Sequence, residues 1–397
     1  MTDWPVKTLG EVCDFVRGVT YDKVDARTEL KSGFIPLLRA TNITEKGLLR
    51  EDFVFIPKNG VRADQKLISG DALITIASGS ASVVGRSVLV EDPGEMTFGA
   101  FCGVLRPSPE ILPRYLSHFM SSRTVRTAWS EAAQGTNINN LKRDDILQTE
   151  CLVPPLDKQK RIVALLDAAT ANVAELTACY EQARTHAKNL FTSALRDALE
   201  GNSDWPVKTL GEVAKWGSGG TPQSGVASYY GGDIPWCVIG DLTEGDVWLT
   251  EKSITEAGLL NSSAKLVDVG AVLIAMYGAS IGRTGVVRTR MATNQAIAFA
   301  YANQEIVHSD FLLMFLQSQK QSFVDAGQGA AQPNISQLVL KEWPISLPPL
   351  VEQKWIVARF DSMKAKTSEM VAAYDAKLTA AKNLRQSILE AAFAGEL

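Results

Sequence analysis

Along residues 3–150 the apolar positions fall in short or alternating runs. "FIPLLRA" (34–40), "EDFVFIP" (51–57), "DALITIA" (71–77), "RSVLVED" (86–92) and "FCGVLRP" (101–107) are separated by Gly, Pro, Asn and Asp. That pattern predicts short strands joined by turns. One stretch, Pro113–Ser130, instead places Leu116, Phe119, Met120 and Val125 on one face of a helix. His308–Val324 plays the same part later in the chain, so each half reads as a mixed α+β module with many loops.

The pattern changes after Val153. Ile162, Leu166, Ala169, Val173, Leu176, Tyr180, Ala183, Ala187, Leu190 and Ala194 follow one another at spacings of four and three, the a/d seam of a coiled coil. Prolines 154 and 155 stop the preceding structure, Asp157 is the expected N-cap, and Gly201 lies where a C-terminal glycine belongs. A second seam runs through Ile356, Phe360, Met363, Thr367, Met370, Tyr374, Lys377, Ala381, Leu384 and Ile388, imperfect at Thr367 and Lys377. A helix of some 43 residues is about 65 Å long, too long to hide its stripe in one module. The other helix is the natural partner, and a two-fold relation makes the pair antiparallel with the modules at opposite ends.

The chain also repeats itself. "DWPVKTLGEV" at Asp3–Val12 returns at Asp204–Val213, and "LVPPLDKQKRIVALLD" (Leu152–Asp167) matches "SLPPLVEQKWIVARFD" (Ser346–Asp361). "KNLFTSALRDALEG" (Lys188–Gly201) matches "KNLRQSILEAAFAG" (Lys382–Gly395) at the same offset. Between these anchors the copies diverge, "GDALITIASGSASVVGR" (Gly70–Arg86) echoing "VGAVLIAMYGASIGR" (Val269–Arg283), and "GTNINNL" (Gly135–Leu141) echoing "AQPNISQL" (Ala331–Leu338). A whole-domain duplication explains this better than a solenoid, whose period is far shorter. The expected organisation is α+β, with two pseudo-symmetric α+β modules at 1–152 and 204–347. They are joined by two long helices, at 153–203 and 348–397, packed as an antiparallel coiled coil.

Composition narrows the function. The chain has 397 residues with 46% hydrophobic and 21% charged residues, ordinary for a globular protein. No run of 18 apolar residues predicts a membrane span, and the first residues lack the pattern of a signal peptide. Five widely spaced cysteines suggest neither a disulfide framework nor a zinc site, in keeping with a reducing cytosol. There is no phosphate-binding loop, "GRTGVV" (Gly282–Val287) is not a dinucleotide fingerprint, and no Asn/Asp-Pro-Pro-aromatic methyltransferase motif occurs. His118, His186 and His308 have no carboxylate or cysteine at ligand spacing. The net charge is −4; residues 1–150 hold 18 Lys+Arg against 19 Asp+Glu, and residues 204–345 hold 9 against 13. A DNA-binding role then needs a local basic patch or help from partners. The rod-and-heads geometry fits such a role, because duplex DNA repeats about every 34 Å and inverted heads read half-sites on opposite strands.

The "DWPVKTLGEV" opening, the "PPLxxQKxIV" start of each long helix (Pro154–Val163 and Pro348–Val357), the "KNL…G" close and the order of module and helix resemble the specificity subunit of type I restriction-modification systems. The resemblance covers essentially the whole chain. It implies two target recognition domains, each reading half of a bipartite DNA site, and two helices that set the spacer. It implies assembly with two methyltransferase subunits, and with restriction–translocase subunits in the full complex, in a bacterial or archaeal cytoplasm. No catalytic residue or metal site is expected in this chain; S-adenosylmethionine, ATP and Mg2+ belong to the partner subunits. A stand-alone nuclease lacks its constellation here, and a DNA-mimicking scaffold would need clustered acidic surface.

Candidate contacts follow from loop chemistry. In the first module "RGVTYDK" resembles a loop common in these domains and offers Arg17, Thr20, Tyr21 and Lys23; a solvated β-turn is the alternative. "RATN" offers Arg39 and Asn42, suited to guanine and adenine edges. Ser78, Ser80 and Ser82 are small hydroxyls that let a phosphate come close, Arg86 follows them, and Asn137 and Asn139 lie in an asparagine-rich turn. In the second module "GSGGTPQ" resembles the family's "GGTP" loop and gives Gly219, Gly220 and Thr221, with a flexible linker as the alternative. Asp241 suits cytosine or caps a turn, Trp236 is reader or core, and Tyr277, Ser280, Arg283 and Asn294 complete the set.

Overall fold

The computed structural model describes residues 4–45, 47–133, 138–200, 204–327 and 334–396. The chain divides into two compact units, residues 1–181 with 376–397 and residues 182–375. Each unit holds one module and a piece of both long helices.

The apolar runs of the first module become strands. Cys13–Arg17, Cys102–Pro107, Ala72–Thr75 and Ser87–Leu89 form a four-stranded antiparallel sheet in that order. Thr97–Phe98, Phe34–Leu38 and Val54–Pro57 form a three-stranded sheet whose first pair is parallel. Ala72–Thr75 is buried at every position because both faces of its sheet are covered. Ala72 and Ile74 pack towards the helices with Leu116 and Trp129, while Leu73 packs with Leu38 and Phe98. The second module repeats the plan with five strands, ordered Ala214–Ser218, Ile297–Ala302, Val272–Ala275, Thr284–Val287 and Asp246–Val247. Its second sheet has four, ordered Ser253–Ile254, Tyr230–Cys237, Met291–Thr293 and Leu266–Val267.

The repeated decamer is a frame. Strand Val6–Thr8 pairs antiparallel with Glu150–Leu152, and Val207–Thr209 pairs in the same way with Pro344–Ser346. Each is followed by one helical turn whose threonine N–H donates to the glutamate three residues on, at 2.7 Å in both copies. These bonds hold the Glu11 and Glu212 carboxyls below the usual range. Leu9 and Leu210 are fully buried, and Trp4 and Trp205 pack half-buried against the two cores, as expected of anchors.

Both long helices are continuous, Leu156–Glu200 and Leu350–Phe393. The first begins at Leu156, so Asp157 lies in its first turn, where its charge meets the helix dipole, and is not the N-cap. Gly201 is outside the described residues; its counterpart Gly395, at φ +79°, closes the second helix by donating to Ala392 O at 3.3 Å. The glutamine of the "PPLxxQ" motif explains the motif. Gln159 is wholly buried, its Oε1 accepting from Leu112 N–H at 2.8 Å and its Nε2 donating to Glu110 O and Pro154 O, both at 2.8 Å. Gln353 does the same to His308 N–H, Ile306 O and Pro348 O. One amide thus ties each long helix to the start of a module helix.

Within the first unit Ile162 and Leu166 pack with Leu389 and Ala392, and Lys377 lies over the Tyr180 ring, so the two helix segments run antiparallel. In the second unit Arg184 pairs with Asp375 at 2.7 Å and Phe191 meets Phe360, again antiparallel. The strict heptad fails along the way. Leu176, Leu190, Met370 and Leu384 are largely exposed, whereas Phe191, Leu195, Leu199, Val371 and Leu378 turn inward. A helix of 3.6 residues per turn drifts about 20° per heptad, which moves the seam on by one residue. Lys377 broke the expected seam because Leu378 is the buried position.

The helix expected over 113–130 is two, Pro113–Met120 and Arg123–Ala132, with Ser122 capping the second by accepting from Val125 N–H. That expected over 308–324 is likewise Ser309–Ser318 and Lys320–Asp325. His118 does meet a carboxylate, distant in sequence: its Nε2 is 2.7 Å from Asp167, which also receives Arg114. Burial holds its pKa below the usual 6.5 against the pull of Asp167.

Candidate nucleic-acid interface

Sheet topology decides which loops meet. Arg17 ends one strand opposite Gly103, Cys102 begins the next opposite Thr75, and Ser87 pairs with Ile74. The loops 18–20, 99–101 and 76–86 therefore emerge at one end of the sheet. The decamer and the start of the long helix lie at the other end, where Cys13 pairs with Pro107. Asn139 joins the loop end because Asn139–Asn140 pairs with Ala77–Ser78. The second module does the same, with Ser218 opposite Ala298 and Ala275 opposite Ile297.

The two loop ends share one net of backbone hydrogen bonds. Gly18 N–H donates to Cys102 O and Val19 N–H to Phe98 O; Gly219 and Gly220 donate in the same way to Ile297 O and Thr293 O. Gly99 N–H donates to Leu38 O, and Asn294 N–H to Cys237 O. Thr75 and Ala275 N–H donate to Arg86 O and Arg283 O, both at 2.8 Å. Leu141 and Ile335 N–H donate to Ile76 O and Met276 O. Thr20 thus matches Thr221, a correspondence the divergent sequences concealed, and Arg86 matches Arg283, as the echo of the two segments suggested.

This net corrects several expectations. Gly219 and Gly220 are buried, and they do not form a flexible linker. A Cβ on Gly219 would lie 2.0 Å from Thr293 O, and one on Gly220 2.3 Å from Ala264 N. Glycine is needed there because the loop is pressed onto its neighbour, as is Gly18, whose Cβ would lie 2.1 Å from Gly99 O. Asn42 is not an adenine reader. It is 1% exposed, accepts from Arg39 N–H at 2.8 Å and donates to Leu49 O and Glu51 O. Arg39 turns inward beside it and donates to Asp52 O at 2.8 Å. Asp241 stands at the equivalent turn of the second module, both carboxylate oxygens taken by Val238 and Glu251 N–H, so it caps the turn and is not free for cytosine. Trp236 is core, 6% exposed, with its indole N–H on Gly220 O.

Other candidates stay on the surface. Arg17, Thr20 and Lys23 are exposed, and Tyr21 packs half-buried on the cluster of Val19, Ile35 and Ile56. Ser80 and Ser82 are exposed with their hydroxyls 3.0 Å apart, and Asn139 Nδ2 donates to Ser78 O and Gly79 O. Asn137 lies outside the described residues. Tyr277 and Arg283 are exposed. Ser280 is half-buried, its carbonyl accepting from Arg283 N–H, and Asn294 is half-buried with its Oδ1 on Ala296 N–H. Thr221 is exposed and hydrogen-bonded to Gln295.

Sequence reading missed Arg126. From the helix Arg123–Ala132 its Nη2 donates to Ser82 O at 3.2 Å, propping up the serine loop. Burial, then the neighbouring Arg86, lower its pKa. Two guanidinium groups thus stand by one loop, with the Glu45 carboxylate 3.7 Å from Arg86 offsetting part of their charge. Nothing in the local sequence marks Arg126, since it is brought to the loop from 44 residues away.

Comparison with known proteins identifies the class. The type I restriction modification DNA specificity domain matches residues 1–182 and again 202–380. The EcoKI specificity subunit of Escherichia coli K12 is 30% identical over 421 aligned positions, covering 99% of this chain and 89% of that relative. The StySPI specificity subunit of Salmonella potsdam is 30% identical over 423, with the same coverage. A solved chain from work on assembly and conformational transition of the type I R-M system superposes with a TM-score of 0.78 at 22% identity, covering 99% of this chain and 98% of that one. The HsdS subunit from Thermoanaerobacter tengcongensis gives 0.54 at 22% identity, covering 99% and 97%. The chain belongs to the specificity subunits of type I restriction-modification systems, non-catalytic components with two DNA-recognition domains.

Proposed function

We propose that each module reads one half of an asymmetric, bipartite DNA target through its loop end, that the long helices set the unread spacer, and that the chain works bound to two methyltransferase subunits. The carrying observation is the shared net of backbone bonds, which holds two different sets of loop side chains on one frame. A frame repeated with different tips is what reading two different half-sites requires. In this reading S-adenosylmethionine, ATP and Mg2+ act on the methyltransferase and restriction–translocase subunits.

The helices support the partner role. Length and composition alone would let Leu156–Leu199 cross a membrane, its most apolar window reaching a mean hydropathy of 1.4 with only 17% of it buried. In a specificity subunit the same apolar surface suits a protein partner, and Leu165, Leu190, Val351 and Trp355 are all more than half exposed. The test is DNA binding by the chain alone and with its methyltransferase subunit. Binding is expected to become tight and sequence-specific only in the complex; a complex that ignored sequence would overturn the proposal.

A further inference from the structure

Because matched bonds fix the two loop ends alike, their side chains can be compared position by position. Thr20 and Thr221 are the same residue, as are Arg86 and Arg283, which suits contacts that carry no sequence information. A large difference is at Phe101. Its carbonyl accepts from Ile76 N–H at 2.9 Å, as Ala296 O accepts from Met276 N–H at 2.8 Å. Ala296 is 7% exposed, whereas Phe101 is 59% exposed.

The backbone around Phe101 is held on every side. Cys102 N–H closes a turn onto Gly99 O at 2.8 Å, Ala100 N–H donates to Val19 O at 2.9 Å, and Ala77 N–H adds a second bond to Phe101 O at 3.2 Å. The ring is therefore presented on a rigid turn between the loop carrying Thr20 and the one carrying Ser78. A large apolar ring held in place on a loop end that otherwise carries hydroxyl and amide side chains suits an apolar partner, and the one methyl group that base pairs display in the major groove is that of thymine.

We infer that Phe101 is a specificity-determining residue of the first half-site, its ring resting against a thymine C5-methyl. The inference rests on the proposed function and adds the base it reads. The test uses the complex with the methyltransferase subunit and duplexes in which each thymine of the target is replaced in turn by deoxyuridine, which lacks only the methyl. One replacement in the first half-site is expected to weaken binding about tenfold, and Phe101→Ala to lose the same factor on thymine DNA while becoming indifferent to that replacement. Phe101→Leu should retain most of the affinity, and single-base changes in the second half-site should be discriminated as before by both variants. Unchanged affinity and an unchanged replacement profile in Phe101→Ala would overturn the inference. So would a loss of DNA bending with no response to any deoxyuridine, which would mark Phe101 as a wedge between base steps. If neither half-site were discriminated even by the unaltered chain, the proposed function itself would fall.

Discussion

Burial pushes the thiols of Cys13, Cys102, Cys151 and Cys237 up to about 12, so they stay protonated and shielded, while Cys179 stands exposed on the first long helix. A maleimide added to the native chain is expected to label Cys179 alone within minutes, and the other four only on unfolding, as mass spectrometry of the peptides would report. At this same scale, residue chemistry proved a poor guide to role. Asn42 and Asp241 have the side chains of base readers, yet each spends its polar atoms on the turn that supports the loop. Sequence chemistry says what a side chain can bond to; which partner it meets depends on backbone groups several residues away.

Among the elements, the joint between module and helix depends on one buried amide in each half. Replacing Gln159 by Leu strands Leu112 N–H and two carbonyls, an expected loss of about 1–3 kcal/mol. Hydrogen exchange should show faster opening around Leu112 and the start of the first long helix, with His308 and the second module unchanged; Gln353→Leu should give the reverse. The strands and both long helices were legible from hydrophobic spacing. Their details were not: the seam drifted off the strict heptad, and each module helix broke in two, the first at a turn capped by Ser122. Periodicity reports the average face of a helix, whereas the buried residue in each turn is set by what packs against it.

The whole chain is acidic, so in the proposed function DNA binding calls for local cations or for help from partner subunits. If the long helices set the spacer, inserting four residues within Ala164–Leu199 adds about 6 Å of helix. The methylated target is then expected to keep both half-sites with a spacer longer by about one or two base pairs, as sequencing of the methylated adenines would show. An unchanged spacer would remove the helices from that role.

The sequence by itself determined the duplication, the strands of the first module and the long helices, because these follow from periodicity and from words repeated along the chain, and its motifs carried the resemblance to the family. Only the tertiary structure decided which polar residues face outward together. Gly18 meets Gly99, Arg126 meets Ser82, and Phe101 is held by Ile76 through contacts between residues far apart in sequence. Those contacts are fixed by strand order and by close packing between loops, neither of which leaves a period or a motif to read.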